Sequence, residues 1–188
     1  MYSPKPNYGN RLQNYAVQTV LERLGLDTVT YAFERDDFSL GQGMRYWAHR
    51  LTGFRMTGNK KYWKTDVPRY LRFERFNRQY IKTKRIEEMR QIDSRDFYVI
   101  GSDQVWNPYW YRYNDLYPHM YLLDFAEPEK RVCFSPSFGI EQLPEDWKPW
   151  FRENLKKFPK LAVREEAGAR IIKELTGRDA AVMVDPTM

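Results

Sequence analysis

Apolar residues recur at helical spacing over residues 11–24, where Leu12, Tyr15, Ala16, Val20 and Leu24 share one stripe and Gly25 follows as a stop. The β-branched and aromatic run TVTYAF at 28–33 reads as a strand. Period is lost over 36–63, where Gly41, Gly43, Gly53 and Gly58 alternate with Trp47, Tyr62 and Trp63; this is a loop or a short helical insertion. Asp66 ahead of Val67-Pro68 is a cap followed by an early proline, and Tyr70, Phe73, Phe76, Asn77 and Tyr80 continue as a helix. Arg69, Arg72, Arg75 and Arg78 then form a basic ridge along that helix.

In the second half, DFYVIG (96–101) and RVCFSPSFG (131–139) read as buried parallel strands. A helix is expected over 145–157. KLAVREE (160–166) is a strand running into a helix at 165–176 that Gly177 stops, and AAVMVDPT (180–187) is a last strand. Strands separated by helices predict an α/β fold with a mainly parallel sheet flanked by helices. In such sheets ligands bind beyond the carboxyl ends of the strands.

Composition narrows the field. The chain has 188 residues, 42% hydrophobic and 16% aromatic, enough for one domain with a real core and too apolar for a wholly disordered chain. Its single Cys133 excludes a disulfide framework and a four-thiolate zinc site. With only His49 and His119 besides, no metal site and no cofactor are expected. No run of 18 apolar residues occurs, and MYSPKPNYGN lacks the apolar stretch of a secretory signal, so a cytoplasmic location is expected.

The net charge of +6 is unevenly spread: residues 45–90 carry 14 Lys/Arg and 4 Asp/Glu, a local +10, and the remainder is −4. That segment is a solvated basic face, or it attracts nucleic acid, an anionic membrane surface or an anionic substrate. The ridge lies on a helix away from the strand ends, so nucleic acid is not the expected partner; steep salt dependence would mark it if it were.

The strand ends carry the candidate chemistry. They read Gly101-Ser102-Asp103-Gln104-Val105-Trp106-Asn107-Pro108, then Pro136-Ser137-Phe138-Gly139, then Arg164-Glu165-Glu166, then Asp185-Pro186-Thr187. Singly, each has a plain structural explanation. Gly101 and Gly139 suit tight turns, Ser102, Asp103 and Ser137 suit caps, Trp106 suits a core, and Arg164 can pair with Asp185. Together they predict a crevice. Asp103, Gln104 and Asn107 beside Trp106, Tyr8 and Tyr109–Tyr111 suit sugar hydroxyls and the apolar faces of pyranose rings. Arg164 can grip a carboxylate or phosphate through two parallel hydrogen bonds. No Walker loop and no G-x-G-x-x-G follows a strand, and no Ser-His-Asp or Cys-His arrangement is evident.

These segments resemble the polysaccharide pyruvyl transferase family. Asn7-Tyr8-Gly9 with Leu12-Gln13 and Tyr15-Ala16, then Gly101–Asn107, Ser137-Phe138-Gly139, Val163-Arg164-Glu165 and Val184-Asp185-Pro186-Thr187 occur in the family's order from residue 7 to the end. The resemblance implies the N-terminal Rossmann-like half of a two-domain, GT-B-like architecture. Residues 1–188 would be that single domain, with a basic helical or loop insertion at about 36–90. It implies transfer of a pyruvyl group from phosphoenolpyruvate to a sugar hydroxyl of a cell-surface glycan, in exopolysaccharide biosynthesis at the cell envelope.

In that scheme Asp103 binds or deprotonates the acceptor hydroxyl and Arg164 contacts an anion. Asn7, Tyr8, Gly9, Asn10, Gln13, Gly101, Ser102, Gln104, Trp106, Asn107, Ser137, Phe138, Gly139 and Glu165 shape the substrate site. The partners are a sugar or lipid-linked glycan acceptor and, with the family's C-terminal half, phosphoenolpyruvate. The basic segment adds peripheral contact with anionic membrane at its inner face. The family's first strand and second half have no counterpart in 1–188, so the chain alone is expected to be inactive. The competing reading is a non-catalytic sugar-binding or scaffold domain.

Overall fold

Two compact units divide the chain, Met1–Glu87 and Glu88–Met188. The computed structural model describes residues 7–32, 71–86, 92–93, 96–113 and 117–188. The insertion read at 36–63, the Asp66-Val67-Pro68 cap, Tyr70 and Arg69 lie outside the described residues.

In the first unit, helix α1 (Tyr8–Arg23) starts at Asn7, whose side chain accepts from the Asn10 backbone N–H at 3.3 Å. That cap satisfies one of the orphan donors of the first turn and starts the helix ahead of residue 11. Gly25, at φ 82, turns the chain out of the helix toward β1 (Thr30–Ala32). Helix α2 covers residues 71–80 and leads into β2 (Thr83–Arg85), which pairs in parallel with β1 from Thr30↔Thr83 to Ala32↔Arg85.

Strand β2 has no apolar pattern to announce it. Backbone bonding places it: Thr30 N–H donates to the Lys82 carbonyl at 2.8 Å, and Lys82 N–H donates to Gln18 Oε1 at 3.2 Å. That bond accounts for the burial of Gln18, and α1 also buries Asn10 and Arg11 while Leu12 and Leu24 of the expected stripe stay exposed. Tyr15 still uses that stripe, meeting Phe76 and Tyr80 edge-on at 6.0 and 5.8 Å. On α2, Phe73 and Asn77 are buried and Arg72, Arg75 and Arg78 are exposed.

In the second unit, β3 (Tyr98–Gly101) pairs in parallel with β4 (Arg131–Phe134), and β5 (Ala162–Val163) pairs in parallel with β6 (Ala181–Val182). Helices α3 (Tyr117–Tyr121), α4 (Lys148–Lys156) and α5 (Glu166–Thr176) are interspersed. The parallel α/β character of the sequence is present, and among the described residues of this unit it takes the form of two short two-stranded ladders. Between β4 and β5 a thiol stands where a backbone rung would. Cys133 Sγ donates to the Lys160 carbonyl and accepts from Ala162 N–H, both at 3.2 Å, and Arg164 N–H donates to the Pro136 carbonyl at 3.1 Å.

The core of this unit is aromatic. Trp106 meets Phe138 at 5.4 Å and Phe158 at 5.8 Å, and Phe138 meets Phe151 at 5.5 Å. Two buried or half-buried guanidiniums close chain ends beside it. Arg131 donates to the Ala126 and Asp124 carbonyls at 2.7 and 3.0 Å. Arg178 donates to the Phe158 and Pro159 carbonyls at 2.8 and 2.9 Å just past α4. Gly177, at φ 73, ends α5 as its sequence position requires.

Two outcomes follow. A Cβ on Gly101 would lie 1.9 Å from the Phe134 carbonyl oxygen, a backbone atom that cannot yield without breaking the β3–β4 pairing. Gly101→Ala should therefore lose about 3 kcal/mol or more in urea unfolding. Burial pushes the Cys133 thiol from an ordinary 9.0 up to about 11. The unfolded chain then releases the thiol proton first, so this contribution is complete below pH 9 and is lost as pH rises toward 11. The unfolding free energy from urea titrations should fall over that window more steeply than in Cys133→Ala, by at most about 1.4 kcal/mol per pH unit.

Candidate functional site

The four strand ends of the second unit are strapped together by hydrogen bonds. After β3 the Asp103 carbonyl accepts from Val105 N–H at 2.7 Å and from Ser137 N–H at 3.0 Å, and Trp106 N–H donates back to the Ser137 carbonyl at 3.1 Å. The Asp103 carboxylate accepts from Gln104 N–H at 2.8 Å, which holds the turn. Ser135 Oγ donates to the Val184 carbonyl at 3.2 Å, joining the ends of β4 and β6. Ser102 and Ser135 both have left-handed backbones, φ 48 and 52, so two neighbouring strand ends carry backbone strain that this bonding sustains.

Arg164, at the end of β5, reaches across. Its Nη1 donates to the Ser102 carbonyl and to Asp185 Oδ2, each at 2.8 Å. Glu165 Oε1 accepts from Phe138 N–H at 2.7 Å and Gly139 N–H at 3.3 Å, fixing the β4 end over the start of α5. Asp185 is held in turn by Thr187, whose N–H and Oγ1 donate to Oδ1 at 3.0 and 2.6 Å.

These straps border an open concavity of about 520 Å³. Of the residues expected at the site, Gln104, Ser137, Gly139, Arg164 and Glu165 line it. Gly101, Ser102, Asp103, Asn107 and Phe138 are not part of that lining, and Asp103 holds the turn from which Gln104 lines it. Trp106 and Phe138 are 0% exposed, and the Trp106 indole donates to the Tyr121 carbonyl at 2.9 Å. The Trp106 ring therefore presents no face to a ligand, contrary to the sequence expectation. Its burial follows from its packing against Phe138 and Phe158.

Asn7, Tyr8, Gly9, Asn10 and Gln13 belong to the first unit. There Asn7 caps α1, Tyr8 packs on Phe73 at 4.4 Å, and buried Asn10 bonds Arg11 and Asn14.

Sequence reasoning missed Ile140, Glu141, Ala167 and Arg170, which complete the lining with Glu166, a strand-end residue to which it gave no role. The signal was present. Ile140 and Glu141 follow Gly139 directly, and Glu166, Ala167 and Arg170 share the first turns of a helix that begins at a strand end. The lining is mixed in charge, with Arg164 and Arg170 against Glu141, Glu165 and Glu166, and Arg170 pairs with Glu141 at 2.9 Å. Among the described residues, no group of three or more His, Cys, Asp or Glu converges as metal ligands. No described helix is long and apolar enough to cross a membrane.

A parallel α/β unit whose polar strand ends border one concavity is an architecture that binds ligands at that edge. The family model described as polysaccharide pyruvyl transferase matches residues 7–188, and the chain belongs to that family, a family of transferases. Comparison with curated proteins and with solved structures gives no match.

The Glu165 straps can be tested by stability alone. Glu165→Ala leaves two backbone N–H groups without their acceptor and should cost about 1–3 kcal/mol. Glu165→Gln keeps an acceptor oxygen there and should cost under about 1 kcal/mol in the same denaturant titration.

Proposed function

We propose that this protein serves the acceptor side of a pyruvyl transfer from phosphoenolpyruvate to sugar hydroxyls of a cell-surface glycan. The observation that carries this reading is the chemistry of the strand-end concavity. It is open and lined by three carboxylates, a carboxamide and two guanidiniums in a chain of the polysaccharide pyruvyl transferase family. Such a lining matches many neutral hydroxyls better than one concentrated anion.

Ketal formation needs a proton delivered to C3 of the enol, and two hydroxyl oxygens that bond to C2 while phosphate leaves with the electrons of its C–O bond. Of the two hydroxyl protons, one balances the proton taken up at C3 and the other leaves with phosphate or solvent. The transition state also asks for cations at phosphate and carboxylate. Arg164 is assigned the anion contact through Nη2, because Nη1 is committed to Ser102 and Asp185 and Nη2 makes no hydrogen bond among the described residues. Asp103 is assigned to the acceptor side, where its carboxylate holds the turn that carries Gln104 to the concavity.

The exposed Arg72, Arg75 and Arg78 support a cytoplasmic membrane-face location for a lipid-linked acceptor. Each basic residue near an anionic surface contributes about 1 kcal/mol. A GT-B-like partner half would hold the donor.

The test compares ligands on the chain itself by saturation-transfer NMR, with a radiolabelled phosphoenolpyruvate transfer assay alongside. Pyranose oligosaccharides should bind at millimolar concentration with no transfer by the chain alone. Binding of phosphoenolpyruvate without any glycan binding would overturn the acceptor-side assignment. Measurable transfer by the isolated chain would overturn its restriction to the acceptor side.

A further inference from the structure

Two opposite charges of the concavity stand side by side without touching. Glu165 Oε2 lies 4.0 Å from Arg164 Nε, whereas a hydrogen-bonded pair would close to about 2.8 Å. Each group is pinned by its other end. Phe138 N–H and Gly139 N–H converge on Glu165 Oε1 at 2.7 and 3.3 Å. Arg164 Nη1 donates to the Ser102 carbonyl and to Asp185 Oδ2, each at 2.8 Å. Those bonds hold the gap open and leave Oε2 and the Nε hydrogen with no hydrogen bond among the described residues. Both residues line the concavity, and each side chain is 28% exposed, within reach of a ligand and largely shielded from bulk water.

A gap of 4.0 Å admits one bridging oxygen, at about 2.7 Å from the carboxylate and about 2.9 Å from the guanidinium. That oxygen has to accept from Nε and donate to Oε2. A hydroxyl does both. An ether, an ester or an ionised carboxylate or phosphate has no hydrogen to give and would set its lone pairs against Oε2. The other lining carboxylates are placed differently: Glu141 is paired with Arg170 at 2.9 Å, and Glu166 has no bond among the described residues to fix it.

We propose that Glu165 Oε2 and Arg164 Nε clasp one hydroxyl of the sugar acceptor, so that this edge selects an unsubstituted position and rejects the same position once it is methylated, acylated or built into a ketal. The inference rests on the reading that a glycan acceptor comes to this concavity, and it goes further by assigning the pair that reads the hydroxyl. Selection then has a direction. The acceptor oxygen carries a hydrogen for Oε2. Once that oxygen is bonded to C2 of the pyruvyl group the hydrogen is gone, and the ketal oxygen meets the carboxylate with lone pairs alone. The acceptor is therefore held more tightly than the product. The Arg164 Nη2 group, on the same guanidinium, stays available for an anion.

The experiment titrates the chain with pyranose oligosaccharides, with the same oligosaccharides methylated at one hydroxyl at a time, and with a pyruvate-ketal derivative, and reads dissociation constants by saturation-transfer NMR. On the unsubstituted chain, methylation at one position and ketal formation should each weaken binding about tenfold, the worth of a hydrogen bond to a charged group. In Glu165→Gln the two backbone N–H groups hold the amide oxygen at the Oε1 place, so an NH2 donor replaces Oε2. That variant should bind the parent oligosaccharide about tenfold more weakly, with its urea midpoint close to that of the unsubstituted chain. It should bind the methyl ether and the parent within about twofold of each other, because its amide donates to either oxygen. A series on the unsubstituted chain in which no methylation and no ketal weakens binding overturns the clasp, without recourse to any variant. Parent affinity unchanged in Glu165→Gln overturns it as well, and in both cases the acceptor reading stands. An unsubstituted chain that binds no oligosaccharide overturns the clasp and the acceptor reading together.

Discussion

The guanidinium of Arg164 decides whether the second unit has a site at all. Strand β5 contains two residues, too few to align anything by ladder bonding alone. Arg164 compensates at its end: the backbone N–H ties to Pro136 after β4, and Nη1 ties to Ser102 after β3 and to Asp185 after β6. One residue thus links all four strand ends. The pair with Asp185 is partly shielded, with side chains 28% and 19% exposed, so its attraction exceeds that of a surface pair while its desolvation cost stays below that of a fully buried one. Loss of the arginine would remove one donor from the Ser102 carbonyl and from Asp185 Oδ2 together.

Around that clasp, side chains and backbone exchange roles. The turns after β3 and β4 contain left-handed serines that cannot belong to a regular strand, and their polar groups are met by Asp103, Glu165 and Arg164. The aromatic residues divide likewise. Trp106 and Phe138 fill the core under the turns, whereas Trp110 stays at the surface with its N–H anchored. A site of this kind needs few residues dedicated to a ligand, because most of its polar atoms already hold the fold.

How far this could be read from sequence depends on which physical signal each element leaves. Strands β3 and β4 are apolar runs ending in glycine or serine, and α5 has a full apolar face with a glycine stop, so periodicity located them. Strand β2 is Thr83-Lys84-Arg85, and its placement comes from Gln18 bonding the preceding backbone, a contact between residues 64 apart that no local pattern reveals. The α1 stripe misled for the same reason: the face buried there is the one that does the bonding, not the more apolar one. At the site, strand-end reasoning brought Gln104, Ser137, Gly139, Arg164 and Glu165 to one concavity. It misassigned Trp106, since a tryptophan near a turn is equally compatible with core and surface. Only three-dimensional packing separates it from Trp110, four residues on.

Charge completes the physical picture. The basic excess sits in residues 45–90, while the rest of the chain is net acidic and the concavity holds more carboxylates than guanidiniums. A phosphorylated and carboxylated donor gains little from such a lining unless further cations are brought to it. A neutral polyhydroxylic ligand loses nothing there, because its oxygens can accept from Gln104 and Arg164 and its hydroxyls can donate to the glutamates. Electrostatics and hydrogen-bond valence therefore favour the same class of ligand at this edge. The exposed Arg72, Arg75 and Arg78 lie on α2, among residues that line no part of that concavity.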